Sequence, residues 1–446
     1  MKFISDSNDL SNYLNQSAPK NIDIKDISTD TRTIVKGSLF IGIKGNNFNG
    51  NDFVEDAIQK GAYLVITDSR KYINHKNENI VYVDNSVSAL RRIASNIIKS
   101  FDGNVVGITG SNGKTTTTKI ISKILPRSSG TIKNFNNEIG MPLSIINANK
   151  NSKNLIIEMG ASKIGDIEYL SSILKPNIGI ITNIGNSHLE NLKNLEGVLK
   201  VKSELIDNIS KHGYLIVPGQ NKEHLDYWRE IRNDVNIITF GSNPDNDFYF
   251  SNEKHDSYGM EFSINSSSNN VNIEVKTDLK GKHNIDNILV AYIVNYLTQE
   301  GDDSFKKKIL KIDKFTSRQI QLDWVNKSVL IDDTYNANPD SVKKSIDLLC
   351  ENSKRKLLIL GDMLELGPKS KKFHQEVGRY ALEKGVDLIL GFGKDSKYSV
   401  EIFRDNGFFF ESEEDLKNFI KNNVKSNDIV LIKGSRGMKM EKFINV

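Results

Sequence analysis

A single cysteine, Cys350, stands among 446 residues, so the chain cannot close a disulfide on itself, and the count fits a reducing cytoplasm. Long apolar runs are missing too: none approaches the ~18 residues that a membrane-spanning helix needs, so no span is expected. The opening MKFISDSNDL has neither an apolar stretch nor a cleavage site, which argues against a secretory signal. Charge of one sign is scarce. The net charge is only +4, and no Lys/Arg cluster with interleaved aromatics stands out, so nucleic acid is not an expected partner. There is no internal repeat and no low-complexity tail. What is present, 38% apolar and 26% charged residues, suits a globular protein too long for one core. Domains of roughly 100–200 residues would divide it into about three.

Pattern along the chain places the expected domains at 1–100, 101–310 and 311–446. The first holds short mixed elements: SLFIGIKG, the loop NNFNGND, a helix-like VEDAIQKGA and the strand YLVITD. In the second, the apolar runs NVVGITG, NLIIEMG, NIGIITN, YLIVPG and NIITFG alternate with helical patterns. Runs without polar alternation predict parallel strands buried on both faces. The segment EFSIN-SSSNN-VNIEV is the exception and predicts a surface hairpin. After residue 311 come KSVLIDD, KLLILGD, VDLILGFG and DIVLIKGS, strand-length runs at βα spacing, which predict a second doubly wound sheet. The expected class is α/β: a small mixed N-terminal domain, a central P-loop ATPase-like parallel sheet, and a C-terminal Rossmann-like domain.

Chemistry concentrates first in GITGSNGKTTTTK, Gly107 to Lys119. A Walker A loop would need glycine at 108, which is Ile108, so this is a related but different phosphate loop. Its context is right: the strand VVGIT enters it, and a helix with Ile120, Ile121 and Ile124 leaves it. Glycines allow backbone N–H groups to face phosphate, and the helix N-terminus adds partial positive charge. Lys114 meets the outer phosphates and Thr115 ligates Mg²⁺ in this reading; the plain alternative is a glycine turn before a helix.

Other strand ends offer polar groups where ligands of open α/β sheets bind. Glu158 ends NLIIE and can reach a metal ion near the loop, although many strands simply end in Glu. His188, in TNIGNSHLE, is a ligand or base, or a structural loop residue. Asp332 and Asp333 end VLIDD, and Asp340 or Ser341 can cap the helix that follows. Lys202 is the odd residue. In LEGVLKVKSELIDNI the helical face 195, 198, 199, 202, 205, 206, 209 reads Leu, Val, Leu, Lys, Leu, Ile, Ile, and a lysine there usually snorkels to solvent.

Taken in order, GITGSNGKTTT, NFNNEIGMPL, IEMGASKIGDI, TNIGNSHLE, VKSE, GKHNIDN, DDTYNANPDS, LGDMLELG and KGSRGMKME resemble the Mur ligases over nearly the whole chain from STDTR onward. The loop spacing is similar to that of ATP-dependent Mur and folylpolyglutamate ligases. YNANPDS and LGDMLELG most resemble the member that joins D-alanyl-D-alanine to UDP-N-acetylmuramoyl-tripeptide in peptidoglycan synthesis. The resemblance implies that ATP makes an acyl phosphate of the tripeptide's terminal carboxylate, which the dipeptide amine then attacks. It implies Gly110, Asn112, Gly113, Lys114, Thr115, Thr116, Asn287 (adenine), Arg318 (phosphates) and Asp333 (ribose) as the ATP set. It implies Thr115 and Glu158 at one Mg²⁺, with His188 and a carbamylated Lys202 at a second. Lys114, Lys202 and His188 become the catalytic residues. Ser28, Asp30 and Arg32 of STDTR match the uridine-nucleotide motif, and Asn137 and Glu138 join the substrate set. A cytoplasmic monomer is the expectation.

The chain departs from the family at three places. Asn49-Gly50-Asn51 stands where Asp-Gly-His is frequent, Arg318 lacks a preceding glycine, and Thr31 replaces a commoner Ser. Two competitors stay open: a lysine-, diaminopimelate- or folate-linked ligase of the same architecture, and a P-loop NTPase without ligase chemistry. A UDP-reading first domain argues against the folate enzyme.

Overall fold

Three sheets follow one another along the chain in the computed structural model, which describes residues 2–19, 21–45, 48–255, 259–310, 312, 320–351 and 353–446. The first is a four-stranded parallel sheet in the order β1-β2-β3-β4 (Asp26–Ser28, Ser38–Ile41, Ala62–Thr67, Ile80–Tyr82). One face packs on the helix Ser86–Ser100, whose Leu90, Ile93, Ala94 and Ile97 are fully buried.

The central sheet has nine strands: β5 Asn104–Thr109, β6 Ser128–Gly130, β7 Asn154–Glu158, β8 Ile178–Ile181, β9 Tyr214–Pro218, β10 Asn236–Gly241, β11 Phe248–His255, β12 Met260–Ser266 and β13 Val271–Thr277. Their order is β13-β12-β11-β10-β9-β8-β5-β7-β6, parallel from β6 to β11. The unbroken apolar runs have the expected cause. In β7, Leu155 and Ile157 belong to the core shared with the N-terminal domain, while Ile156 belongs to the opposite core under the helices Lys114–Ile124 and His283–Leu297. The segment expected as a surface hairpin is a hairpin, but not a superficial one. β12 and β13 pair antiparallel and complete the sheet, and Phe262, Ile264, Ile273 and Val275 enter the second core. Burial of those alternate positions outweighs the polar turn between them.

The third sheet contains β14 Ile320–Asp323, β15 Val329–Asp333, β16 Arg355–Gly361, β17 Leu388–Phe392, β18 Gly407–Phe410 and β19 Asp428–Lys433, in the order β14-β15-β19-β16-β17-β18. Five strands are parallel, and β14 is an antiparallel edge. Successive residues of β16 and β19 alternate between two cores, so the sheet is covered on both faces. No described helix is long and apolar enough to cross a membrane.

The parts meet through specific polar contacts. Lys2 Nζ ties Asp26 of the first sheet (2.6 Å) to Asn147 of the central domain (2.8 Å). On the other side, Asn112 and Asn338 exchange amide hydrogen bonds at 3.3 and 2.9 Å, joining the glycine loop to the C-terminal domain. The helix Pro339–Cys350 is capped by Asn338, in a box with Ser341 and with Pro339 in the first turn. Asp340, one of the two expected caps, instead accepts from the Asn186 backbone N–H at 2.8 Å across the seam.

Candidate active site

The loop after β5 is shaped by neighbours that leave no room for side chains. Gly110 has φ +142, and a Cβ there would lie 2.0 Å from Thr182 Oγ1. Gly113 has φ +83, and its Cβ would meet Asn287 Oδ1 at 2.6 Å. Asn183 clamps Asn112 from the end of β8: its Oδ1 accepts from Asn112 N–H and its Nδ2 donates to Asn112 O, both at 2.9 Å. The residue before the helix that begins at Lys114 is Gly113, which has no side chain to cap it. That helix start faces a cavity of about 1100 Å³ lined by Lys114, Thr115 and Thr116. A helix start beside a lysine is a site for phosphate. Lys114 Nζ donates to Gly110 O at 2.6 Å, so the ammonium is held over the loop.

Glu158 reaches this point from the end of β7. Thr115 Oγ1 donates to Glu158 Oε2 and Asn136 Nδ2 to Oε1, each at 2.7 Å. Two oxygen donors this close on a cavity wall suit Mg²⁺, which takes few protein ligands and completes its shell with water and phosphate. Among the described residues no group of three or more His, Cys, Asp or Glu gathers into a cage. Asn137 and Glu138 sit exposed on the cavity rim, where Asn137 Oδ1 accepts from Gly140 N–H at 2.8 Å. The hydroxyl of Thr117 donates to Asn287 Oδ1 at 3.1 Å, placing Asn287 against the loop.

The opposite wall belongs to the C-terminal domain. Asp333 is buried, with Lys433 Nζ at 2.5 Å and Ser345 Oγ at 2.6 Å on its Oδ2. Tyr335, Asn336, Leu364 and Ser435 also line it. His188 lies on the central side, its Nδ1 2.5 Å from Glu365 Oε2 of LGDMLELG. Arg318 lies outside the described residues.

Lys202 does not snorkel. It is 1% exposed, within the helix Leu195–Ser203, between the buried Val198, Leu199 and Leu205. The helix ends at Ser203 and a 3₁₀ turn, Ile206–Asn208, follows, so the single long stripe expected from spacing breaks there and Leu195 is exposed. Burial, and next the charge of Lys114, pull the Lys202 amine down to about 7. The neighbouring carboxylates are committed elsewhere. Asp166 accepts from Ser162 and Lys163 N–H, and Glu204 caps the helix Asp166–Leu174 by accepting from Gly165, Ile167 and Glu168 N–H at 2.8, 3.1 and 3.0 Å. Glu204 in the Lys-x-Glu pair is thus a cap. Replacing it (Glu204→Ala) leaves three amides without that acceptor and lowers stability by ~1.5–3 kcal/mol. Urea unfolding reads this as a lower midpoint at unchanged slope, and an unchanged midpoint would remove the cap from the account.

Ser28 ends β1, and Asp30 and Arg32 follow it in a loop, all three outside the cavity lining. The Ser28 hydroxyl accepts from Asp30 N–H at 2.9 Å, and Arg32 grips Asp30 with bonds of 2.7 to 3.1 Å that hold its carboxyl down at about 2. Asn51, in the divergent Asn-Gly-Asn, is buried. Its Nδ2 donates to Asp68 and its Oδ1 accepts from Thr67 Oγ1 and Asp68 N–H, so it staples β3 to its loop. Sequence reasoning missed Asn136, Asn183, Asn338, Glu365 and Lys433. All five lie inside motifs already singled out, but the pairing of Lys433 with Asp333 has no local signal.

Against known proteins, residues 23–101 match the Mur ligase family catalytic domain, 108–295 the Mur ligase middle domain, and 321–436 the Mur ligase glutamate ligase domain. The UDP-N-acetylmuramoyl-tripeptide–D-alanyl-D-alanine ligase of Bacillus subtilis (strain 168) is 32% identical over 94% of this chain and 92% of its own. The enzyme of the same name from Buchnera aphidicola subsp. Baizongia pistaciae (strain Bp) is 34% identical over 100% and 96%. Among solved structures, MurF from Acinetobacter baumannii superposes with a TM-score of 0.88 at 25% identity, covering 98% of this chain and 97% of that one. The MurF ligase from Thermotoga maritima in complex with ADP gives 0.82 at 28%, covering 95% and 97%. A glycine loop, a facing second domain and full-length similarity agree, and the chain belongs to the Mur ligase family.

Proposed function

We propose that the chain is an ATP-dependent amide ligase that joins D-alanyl-D-alanine to the terminal carboxylate of UDP-N-acetylmuramoyl-tripeptide. The observation that carries this reading is the cavity: a helix start with Lys114 on one wall, and the buried Asp333–Lys433 pair of another domain on the other. Two walls on separate domains suit a reaction that gathers three substrates. The substrate carboxylate oxygen attacks the γ-phosphorus and ADP leaves, giving an acyl phosphate. The dipeptide amine then adds to the carbonyl carbon, loses a proton, and the tetrahedral species expels phosphate. Lys114 and the loop amides neutralise charge on the transferring phosphoryl group. Thr115 and Glu158 would hold a Mg²⁺, which would supply neutralisation of the phosphate charge.

Asn287 and Asp333 serve the nucleoside, and Ser28, Asp30 and Arg32 the uridine nucleotide of the first domain, residues 1–100. The cytoplasm is where a UDP-linked precursor and ATP meet. Lys202 carries a carbamate: its neutral amine takes up CO₂, releases a proton, and becomes an anion with two hard oxygens. The nearby charge of Lys114 that disfavours the ammonium favours that anion. With His188 it would hold a second metal ion.

Because contacts on both walls are made at once, ligands favour the docked arrangement. Small-angle scattering should show a larger radius of gyration for the ligand-free protein than with ATP analogue and tripeptide; equal dimensions would contradict a closing mechanism. The ligase reading itself is tested by phosphate release, which should require the tripeptide and the dipeptide together.

A further inference from the structure

His188 and Glu365 come from different domains, and each adopts a backbone conformation that non-glycine residues rarely use. His188 has φ +53 and Glu365 has φ +62. Such residues persist where their surroundings impose the geometry, and they cluster at functional sites. Here they face one another, with Nδ1 2.5 Å from Oε2. The two atoms are in contact without the alignment of a ring N–H bond, a state common at active sites before substrate binds.

The Glu365 loop is fixed from both sides. Behind it, the fully buried His374 accepts the Met363 N–H on Nε2 at 3.1 Å, and the Asp362 carboxylate accepts from Lys394, Asp395 and Ser396 N–H at 2.7 to 2.9 Å. Beside it, the Leu364 N–H donates to Ser435 Oγ at 2.8 Å. In front, the Glu365 carbonyl accepts the Glu190 N–H at 3.0 Å, two residues beyond His188. A rigid turn therefore presses a carboxylate on one histidine of the other domain.

We propose that Glu365 is a positioning residue: across the domain seam its carboxylate orients the His188 imidazole, leaving Nε2 for the reaction site only while the C-terminal domain is docked. An imidazole that serves a metal or a proton through one nitrogen usually has its other N–H held by a carboxylate or carbonyl. In this chain that partner comes from LGDMLELG, so docking and the readiness of His188 become one event.

The inference rests on the ligase reading, and its test separates the two. Glu365→Gly keeps the left-handed backbone without strain and removes only the carboxylate; Glu365→Gln keeps size and removes charge. Both should lower kcat by about 10–100-fold while KM for the UDP-tripeptide changes less than about twofold, and Glu365→Asp should recover part of kcat. In metal-free protein closed by an ATP analogue and the UDP-tripeptide, the His188 ring ¹⁵N shifts should move in the Gly and Gln variants. Wild-type kcat in both variants, or unmoved ring shifts, would overturn the proposal. A wild-type protein that releases phosphate without both substrates would sink the ligase reading instead, with the ring shifts still judging the pair.

Discussion

Lys114→Ala is expected to lower turnover by ~10²–10³ while the protein stays folded. The side chain is partly exposed on the cavity wall and belongs to no apolar core, so its loss removes a charge and, among its contacts, those to Gly110 O and Ser111 O. The glycine loop keeps its shape through bonds made by Asn183, Thr182 and Asn287. Circular dichroism and the melting temperature should match wild type. A folded variant that still releases phosphate at near the normal rate would move the ATP site elsewhere.

Lys202 should give a comparable loss for a different reason. Lys202→Ala and Lys202→Arg should each lose ~10² or more in turnover, the second despite keeping its charge, because arginine cannot carry a carbamate and a buried cation repels a metal ion. Short carboxylic acids should partly restore Lys202→Ala by occupying the vacated space. Stability moves in the opposite direction. The amine titrates near 10.5 when unfolded and at about 7 when folded, so between these values the unfolded chain binds more protons. Stability of the unmodified protein therefore rises as pH climbs from 7 toward 10.5, its penalty being full below 7. Lys202→Met removes both the penalty and the slope. Melting curves at several pH values, taken after CO₂ is stripped, measure this. An active Lys202→Arg enzyme, or a bare ammonium beside bound Mg²⁺ in an active crystal, would refute the carbamate.

Strands such as NLIIE and VLIDD were legible because both sheet faces are covered, which writes an uninterrupted apolar run into the chain. β6 and β18 were not: Ser-Ser-Gly and Gly-Phe-Phe-Phe are edge segments whose pairing comes from the neighbouring strand. The phosphate loop was readable since strand, glycines, lysine and helix are contiguous. Lys202 was only half readable. Spacing placed it among apolar residues, but whether its head group escapes depends on what the fold packs around it, and the side chain is 1% exposed. The partners of His188 and Asp333 stayed hidden because Glu365 and Lys433 approach them only when distant segments dock.

The most direct test is to incubate the protein with ATP, Mg²⁺ and UDP-N-acetylmuramoyl-tripeptide, add D-alanyl-D-alanine, lysine or diaminopimelate in turn, and follow phosphate together with product mass. The account predicts ADP, phosphate and UDP-N-acetylmuramoyl-pentapeptide in equal amounts with the dipeptide alone. Steady phosphate release without any amine acceptor, or coupling only to a single amino acid, would contradict it.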